Sequence, residues 1–269
     1  MTNLFMLAIC LLAGMLLRVT RRLPDNAHLT LNRFIIHVAL PALILGQIHG
    51  LRLTTNLLWP ASMPWLLFML SAVAFTLLAS IMQLPRNTTG ALIMTAGLAN
   101  TSFVGLPMIE TFYGVHDLST GILIDQLGTY LVLSTAGITV ACLFSSGTAS
   151  SGLLHRLGDT LAPLALVSVG LQLRLDQLRG NRVLLGLGLG FKLVLGPLLL
   201  ALLYVGLLSR SGETTQVTLF ESAMGPQVGG AIVAMQYGLN PTFIALMVGI
   251  GIALSFLTLP LWYFAMAAV

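Results

Sequence analysis

The sequence reads Ala99-Asn100-Thr101-Ser102-Phe103-Val104-Gly105-Leu106-Pro107 in the middle of one long apolar run and Met224-Gly225-Pro226-Gln227-Val228-Gly229-Gly230 in the middle of another. Proline removes a backbone donor and blocks the preceding helical turn, so each stretch predicts a membrane helix that is interrupted near its centre. One such span is more often a kinked packing helix. Two of them, in corresponding positions of a repeated sequence, indicate a secondary transporter with a binding site near the middle of the membrane.

The composition around these stretches is typical of an integral membrane protein. Of 269 residues, 57% are hydrophobic and only 7% are charged, with a formal net charge of +4, whereas a soluble domain carries about 25% charged residues. So few charges exclude a soluble enzyme, a disordered chain and a nucleic-acid-binding module. Cys10 and Cys142 both lie in apolar runs, so no disulfide framework and no cysteine-based metal site is expected.

The apolar runs predict an all-α polytopic membrane protein, because a membrane-spanning helix needs about 20 apolar residues. We predict nine spans, at about 3–19, 29–50, 57–84, 88–113, 119–144, 159–173, 183–208, 215–237 and 241–266. No positive residue precedes the first span, and Arg18, Arg21 and Arg22 follow it. This charge order predicts a retained first helix with its N-terminus outside.

An internal repeat becomes visible when the prolines are aligned. The sequence around Pro41 resembles that around Pro163, and 72 residues separate Pro41 from Tyr113 while 74 separate Pro163 from Tyr237. Each copy contains one interrupted span. We therefore predict an N-terminal repeat of five helices at 1–145, a polar connecting loop at 146–158 and a C-terminal repeat of four helices at 159–269.

The arginines bear on the orientation of the second repeat, since cytoplasmic loops are enriched in them. If nine spans cross the membrane in strict alternation, 7 of the arginines lie inside and 4 outside. If the second repeat is inverted relative to the first, 9 arginines lie inside and 2 outside. The charges therefore favour inversion. Inversion, however, requires an odd number of crossings between the copies, and the polar stretch 146–158 is too short for a span. Both arrangements stay open at this point.

Four motifs in a fixed order resemble the auxin efflux carrier family, which includes plant auxin exporters and bacterial permeases. The first is the stretch from Asn100 to Pro107, followed by Phe112-Tyr113-Gly114. The others are His37-Val38-Ala39-Leu40-Pro41-Ala42-Leu43, Phe191-Lys192-Leu193-Val194-Leu195-Gly196-Pro197, and Pro226-Gln227 followed by Tyr237-Gly238. The resemblance covers nearly the whole chain.

This resemblance implies ten helices in two inverted five-helix repeats, the sodium/bile-acid symporter-like fold, in which two broken helices of a mobile domain cross at the substrate. Here one scaffold helix is missing at the start of the second repeat. The function implied is elevator-type transport of a small organic anion, an auxin-like or malate-like mono- or dicarboxylate. A bacterial inner membrane is the expected location, and a homodimer is a further expectation.

The candidate substrate-binding residues are the polar and small residues of the two interruptions. They are Asn100, Thr101, Ser102, Pro107, Gly225, Pro226, Gln227, Gly229 and Gly230. Freed N–H groups and half-helix N-termini make a positive pole that can hold a carboxylate. The side chain of Asn100 can both donate to a carboxylate and accept a hydrogen bond. We expect the two stretches to face each other across one cavity.

Three ionisable residues inside the predicted spans are candidates for energy coupling: Asp125, Glu221 and Lys192. A carboxylate at a helix centre costs about 2.5–3.5 kcal/mol, so both acids should face protein or water. Each is either a proton relay or ion ligand, or a structural carboxyl. Lys192 is expected to snorkel rather than to pair with a carboxylate or a substrate. Because the span 57–84 contains no acid, we expect proton-linked or uncoupled transport rather than a tight sodium site.

No cofactor, metal or enzymatic activity is expected. His37 and His49 are twelve residues apart, which places them too far apart along a helix to hold one ion. Neither a phosphate-binding loop nor a zinc-protease motif is present in the sequence. A non-transporting or degenerate regulatory family member and a passive channel are the alternative functions.

Overall fold

The computed structural model describes residues 59–145, 178–267 and 269, together with residues 9, 13, 14, 16, 17 and 20. The predicted spans at 29–50 and 159–173, most of the span at 3–19 and the loop at 146–158 lie outside these described residues. So do Pro41, Pro163, His37 and His49. In the described part every regular element is a helix and no strand occurs, so the prediction of an all-α protein is confirmed there. The count of nine helices stays a prediction.

The first half contains two continuous helices on either side of an interrupted one. They are α1 (Ser62–Met82), α2 (Arg86–Gly97), a π-helical turn (Thr101–Gly105) that runs into α3 (Leu106–Phe112), and α4 (Val115–Phe144). Both α1 and α4 are long and apolar enough to cross a membrane. The segments α2 and α3 occupy the predicted span 88–113.

The second half repeats this order. It consists of α5 (Gly180–Leu207), α6 (Glu213–Ser222), α7 (Val228–Gln236) and α8 (Pro241–Met266). Again the first and last helices, α5 and α8, are candidate membrane spans. The segments α6 and α7 occupy the predicted span 215–237. Asn240 caps α8 by accepting a hydrogen bond from Phe243 N at 3.3 Å, and Pro241 fits the first helical position, where no N–H is needed.

The interrupted helices lie at the centre of the bundle. Every residue of α2 from Thr88 to Gly97 is buried, and α2 packs against α1, α7 and α8. On the outside, α1 carries an exposed apolar stripe at every fourth position, formed by Met69, Val73, Leu77 and Ile81. The apolar exterior and the buried small and polar residues of α2 are the distribution expected of a membrane protein.

Hydrogen bonds between helix ends define one face of the bundle, which we call the arginine face. Its bonds join Arg86 Nη2 to Leu143 O (2.6 Å), Ser145 Oγ to Tyr237 O (2.8 Å) and Asn240 Nδ2 to Thr88 Oγ1 (3.0 Å). The ends of α1, α4 and α7 and the starts of α2 and α8 therefore lie at this face. The start of α5 lies here too, because α5 ends at the opposite face, where Tyr204 contacts Ser62. Of the four arginines in residues 59–145 and 178–267, Arg86, Arg179 and Arg182 belong to these ends.

The remaining helix ends meet at the opposite face. The hydroxyls of Ser62 and Tyr204 are 2.7 Å apart, His116 Nε2 lies 3.1 Å from Glu213 Oε1, and Gly212 N donates to Val269 O at 3.1 Å. The hydrogen bond from His116 holds the pKa of the exposed Glu213 below its usual value. Arg210 lies at this face, stacked over Trp59 at 5.2 Å.

Candidate functional site

The first interruption lies at residues 98–100, earlier than the sequence predicts. The α2 helix ends at Gly97, Leu98 is extended, and helical geometry resumes at Thr101. Pro107 lies inside the helical stretch that begins at Thr101, where the π-helical turn runs into α3, and it is only half-buried. The expectation that Pro107 marks the break is therefore wrong. The second interruption, at residues 223–227, does contain its proline, Pro226.

The two interruptions contact each other through their backbones. Ala99 and Pro226 form an isolated antiparallel bridge. In it, Asn100 N donates to Gly225 O at 2.9 Å, and Gln227 N donates to Leu98 O at 3.1 Å. Backbone groups that lose their helical partners must find others in a buried site. Here each interruption satisfies two groups of the other.

Close packing around this bridge requires small residues. A β-carbon at Gly225 would lie 3.0 Å from Ile252 Cα and 3.1 Å from Gly251 O, both on the backbone of α8. A β-carbon at Gly230 would clash with the Leu98 side chain at 2.5 Å. Glycine at these two positions therefore lets α8 and the first interruption approach the second one closely.

Asn100 and Gln227 bring amide side chains to the bridge. The Asn100 side chain is fully buried, and its Oδ1 accepts from Phe103 N at 3.3 Å, which caps the π-helical turn. Asn100 Nδ2 and Gln227 Oε1 are buried and have no hydrogen-bond partner among the described residues. Gln227 also stands at the N-cap of α7 without capping it through its side chain. One donor and one acceptor are thus free for a ligand.

Asp125 is held beside the first interruption by hydrogen bonds. Thr101 Oγ1 donates to Asp125 Oδ1 at 2.6 Å, and Gln126 Nε2 donates to Asp125 Oδ2 at 2.9 Å. Thr101 Oγ1 also lies 3.0 Å from Thr129 Oγ1. The prediction that Asp125 faces protein or water is confirmed, since only 6% of the residue is exposed.

Glu221 lies on the second interrupted helix and is completely buried. Neither of its carboxyl oxygens has a hydrogen-bond partner within the described part of the chain. The carboxyl group packs against Gly105 and approaches Gly121, and it lies within electrostatic range of Asp125 and Lys192. The prediction that this acid faces protein or water is confirmed too, but unlike Asp125 its carboxyl group has no hydrogen-bond partner among the described residues.

Lys192 does not snorkel, so that expectation is wrong. Its side chain is completely buried and Nζ donates to Ser222 O at 2.9 Å. Ser222 is the last residue of α6, and the carbonyls of a last helical turn have no helical partner. The lysine therefore stabilises the end of the helix at the second interruption, next to Glu221.

The remaining predicted residues surround this centre. Ser102 and Gly229 are half-buried, one residue beyond the start of the helix that follows each interruption, whereas Gly230 is buried against Leu98. Sequence reasoning missed Gly105 and Gly121, which contact Glu221, and Thr129, which contacts Thr101. Of these three residues, only Gly105 has a signal in the sequence, because it lies inside the first quoted motif.

The arrangement offers several groups that can bind a ligand. A free amide donor, a free amide acceptor and two buried carboxyl groups lie around a backbone bridge in the centre of an apolar bundle. Among the described residues, the three side chains close enough together to hold a metal ion lie elsewhere, at the opposite face.

Comparisons with known proteins extend over nearly the whole chain. A family model described as "Membrane transport protein" matches residues 1–151 and residues 131–263. An uncharacterized transporter of Methanothermobacter thermautotrophicus is 26% identical over 94% of this chain and 94% of its own length. An uncharacterized transporter of Methanocaldococcus jannaschii is 23% identical, again over 94% of both chains.

Proposed function

We propose that this chain, which belongs to the auxin efflux carrier family of membrane transport proteins, is a secondary transporter of a small organic anion. The family match confirms the resemblance seen in the sequence, and the chain is an integral multi-pass membrane protein. The proposed substrate is a mono- or dicarboxylate, auxin-like or malate-like, and the proposed mechanism is alternating access of the elevator type.

The observation that carries this proposal is the backbone bridge between the two interruptions, with unpaired side-chain groups beside it. Asn100 Nδ2 is a buried donor without a partner among the described residues, and a buried donor left unpaired costs about 1–3 kcal/mol. A substrate carboxylate would remove that cost by accepting from Asn100 and from the uncapped first turn of α7. Helical geometry begins at Thr101 after the first interruption and at Val228 after the second. Helix starts carry a partial positive charge, so this pair suits an anion better than a cation.

Transport must also be coupled to a driving force, and we propose a proton. A driving ion shifts a carrier between its two states only if its affinity differs between them. The Glu221 carboxyl has no hydrogen-bond partner in the described structure, packs against Gly105 and lies within electrostatic range of Lys192. A proton held by Glu221 in one state and released in the other would supply this difference. Asp125, already bonded to Thr101, is the second candidate.

The directions of the helices support an inverted repeat. In the first half α1 and α4 run towards the arginine face, and the α2–α3 pair runs away from it. In the second half α5 and α8 run away from the arginine face, and the α6–α7 pair runs towards it. Each element thus runs opposite to its counterpart. The arginine face is then the cytoplasmic one, as in the arrangement that assigns 9 arginines inside.

The test is uptake of a panel of labelled mono- and dicarboxylates into proteoliposomes, with Asn100→Asp as the decisive variant. Aspartate keeps the oxygen that caps the π-helical turn but loses the Nδ2 donor and adds a negative charge. We expect substrate affinity to fall about 5- to 150-fold, the equivalent of about 1–3 kcal/mol. The matched control is Asn240→Asp, which keeps the α8 cap and loses only the donor to Thr88.

Three results would contradict the proposal. Absence of saturable binding and transport across the whole panel would indicate a non-transporting family member. Flux that never saturates with substrate concentration would indicate a passive channel. Equal substrate affinities of wild type and Asn100→Asp would move the binding site away from the bridge.

A further inference from the structure

A second cluster of chemically active side chains lies at the opposite face, remote from the bridge. His116, Asp117 and Glu213 each present one potential metal-binding atom there, and these atoms all lie within 4.8 Å of one another. His116 Nε2 is 3.1 Å from Glu213 Oε1 and 3.2 Å from Asp117 Oδ2. The substrate site does not use any of these residues.

Two tight turns bring these residues together across 97 positions of sequence. Gly114, with φ of 95°, precedes the turn that carries His116 and Asp117, and the His116 ring packs against it. Gly212, with φ of 89°, precedes Glu213 at the start of α6. Only glycine adopts such φ values readily. The cluster therefore joins the start of α4 in the first half to the start of α6 in the second.

Buried polar groups without a hydrogen-bond partner among the described residues lie at this place. Asp117 Oδ2 and the Tyr113 hydroxyl are buried without a hydrogen-bond partner among the described residues. Only 7% of Asp117 and 9% of Tyr113 are exposed. His116 Nε2 is near Asp117 Oδ2 but makes its hydrogen bond to Glu213, and one N–H cannot serve both carboxylates well. Two carboxylates so close together repel each other unless a cation or a proton lies between them.

The distances suit a small divalent ion of the zinc type. Zinc–nitrogen and zinc–oxygen bonds in a tetrahedral site require ligand atoms about 3.3–3.6 Å apart, close to the 3.1 and 3.2 Å found around His116 Nε2. One imidazole and two carboxylates are ligands that Zn²⁺ accepts, and three protein ligands leave a fourth position for water. We propose that His116, Asp117 and Glu213 form a divalent metal site selective for Zn²⁺ over Mg²⁺, on the non-cytoplasmic side.

Such a site ties the two halves of the chain together at one face. In the absence of the ion, the cluster is held by the His116–Glu213 hydrogen bond between two exposed side chains, which are 66% and 55% exposed. Exposed pairs of this kind contribute little to stability. The bound ion would replace this weak link with three coordinate bonds, so Zn²⁺ should stabilise the folded protein by mass action.

The test is titration of Zn²⁺ into the purified full-length protein, carrying an affinity tag without histidines, by calorimetry in detergent. We expect one Zn²⁺ per chain, and no binding of Mg²⁺ at the same concentration. Glu213→Gln and His116→Ala should each weaken Zn²⁺ binding at least tenfold, since even outer-sphere changes cost about 10- to 100-fold. The matched control is His155→Ala, a histidine of the polar stretch 146–158, which should bind Zn²⁺ like the wild type.

A second measurement keeps the test decisive if one variant folds poorly. Zn²⁺ should raise the apparent Tm of the wild type and of His155→Ala but not that of Glu213→Gln, whose exposed side chain is replaced by a neutral one of the same shape. Equal Zn²⁺ affinity of wild type and Glu213→Gln would overturn the proposal. So would a folded wild type that binds no Zn²⁺, which would leave the cluster a simple hydrogen-bonded pair.

Discussion

Glu221 lies with its carboxyl group directly against Gly105, so close that a β-carbon at position 105 would be 2.5 Å from Glu221 Oε1. The acid belongs to the second interrupted helix and the glycine to the π-helical turn that follows the first interruption. The contact therefore places the unpaired carboxyl between the two halves of the proposed substrate site. Only glycine leaves room for the carboxyl in this position.

Gly105→Ala should displace this carboxyl group while the fold persists. The atoms that an added methyl would meet are Oε1, Oε2 and Cδ of Glu221, the mobile end of a long side chain. We expect a loss of about 1–3 kcal/mol in the free energy of unfolding, typical of an overpacked core, and a marked loss of transport. The matched control is Gly186→Ala, where the β-carbon would meet none of the described residues within 4 Å. If both variants transport like the wild type, the position of the Glu221 carboxyl is irrelevant to function.

Glu221→Gln should uncouple transport from the pH gradient, because glutamine keeps the shape of the side chain but cannot exchange a proton. The measurement is uptake driven separately by imposed pH and sodium gradients, in wild type, Glu221→Gln and Asp125→Asn. We expect the wild type to respond to the pH gradient, and Glu221→Gln to carry out only exchange or downhill flux. Sodium-driven uptake that survives both substitutions would refute proton coupling at these residues.

Lys192→Met should destabilise the second interruption. It leaves Ser222 O without the donor that now lies 2.9 Å away, and an unsatisfied buried carbonyl costs about 1–3 kcal/mol. The matched control is Arg182→Met, which removes an exposed cation from the start of the same helix. The apparent Tm in detergent measures both effects, and equal effects would contradict a structural role for the lysine.

The same lysine offers a test of its interaction with Glu221. If the two buried groups stabilise each other, Glu221→Gln should cost less in the Lys192→Met background than in the wild type. Residues in one network show coupling energies of about 0.5–3 kcal/mol. Strict additivity of the two substitutions would mean that the lysine acts only on the Ser222 carbonyl.

The sequence was sufficient to identify the two interrupted helices, but not to locate the first break. Pro107 draws attention because proline disrupts helix interiors, yet it lies beyond the break, where the π-helical turn Thr101–Gly105 runs into α3. The true break, at Leu98 to Asn100, consists of residues that can all be helical. It is stabilised by bonds to Gly225 and Gln227, more than a hundred residues away, and a local pattern cannot reveal such a partner.

The expectation that Lys192 snorkels fails for a related reason. A lone lysine in an apolar span usually reaches the membrane surface, because no partner for it is visible in its own segment. The partner is the Ser222 carbonyl, which becomes free only because α6 ends before Gly225 and Pro226. The end of α6 could be predicted from those two residues. Its proximity to Lys192 depends on how α5 packs against α6, which one sequence does not contain.

The directions of the helices lead to a prediction about membrane sidedness. Gln83 ends α1 and Gly180 begins α5, both exposed and both at the arginine face, whereas the exposed Ser211 lies next to Gly212 at the opposite face. In a background with Cys10 and Cys142 replaced by serine, single cysteines at these three positions should divide into two groups. A membrane-impermeant maleimide applied to intact cells should label Ser211→Cys but neither Gln83→Cys nor Gly180→Cys.

This pattern separates the two topologies that the arginine count left open. Strict alternation of nine spans puts Gly180 outside and Ser211 inside, so both positions would show the reverse of the labelling that we expect. Gln83 is inside in either topology and serves as the reference. The physical reason for our expectation is that helix ends joined by short hydrogen bonds, such as Ser62 to Tyr204 at 2.7 Å and Gly212 to Val269 at 3.1 Å, must lie on one side of the membrane. Labelling of Gly180→Cys from outside would mean that α5 runs in the same direction as α1, and it would refute the inverted repeat.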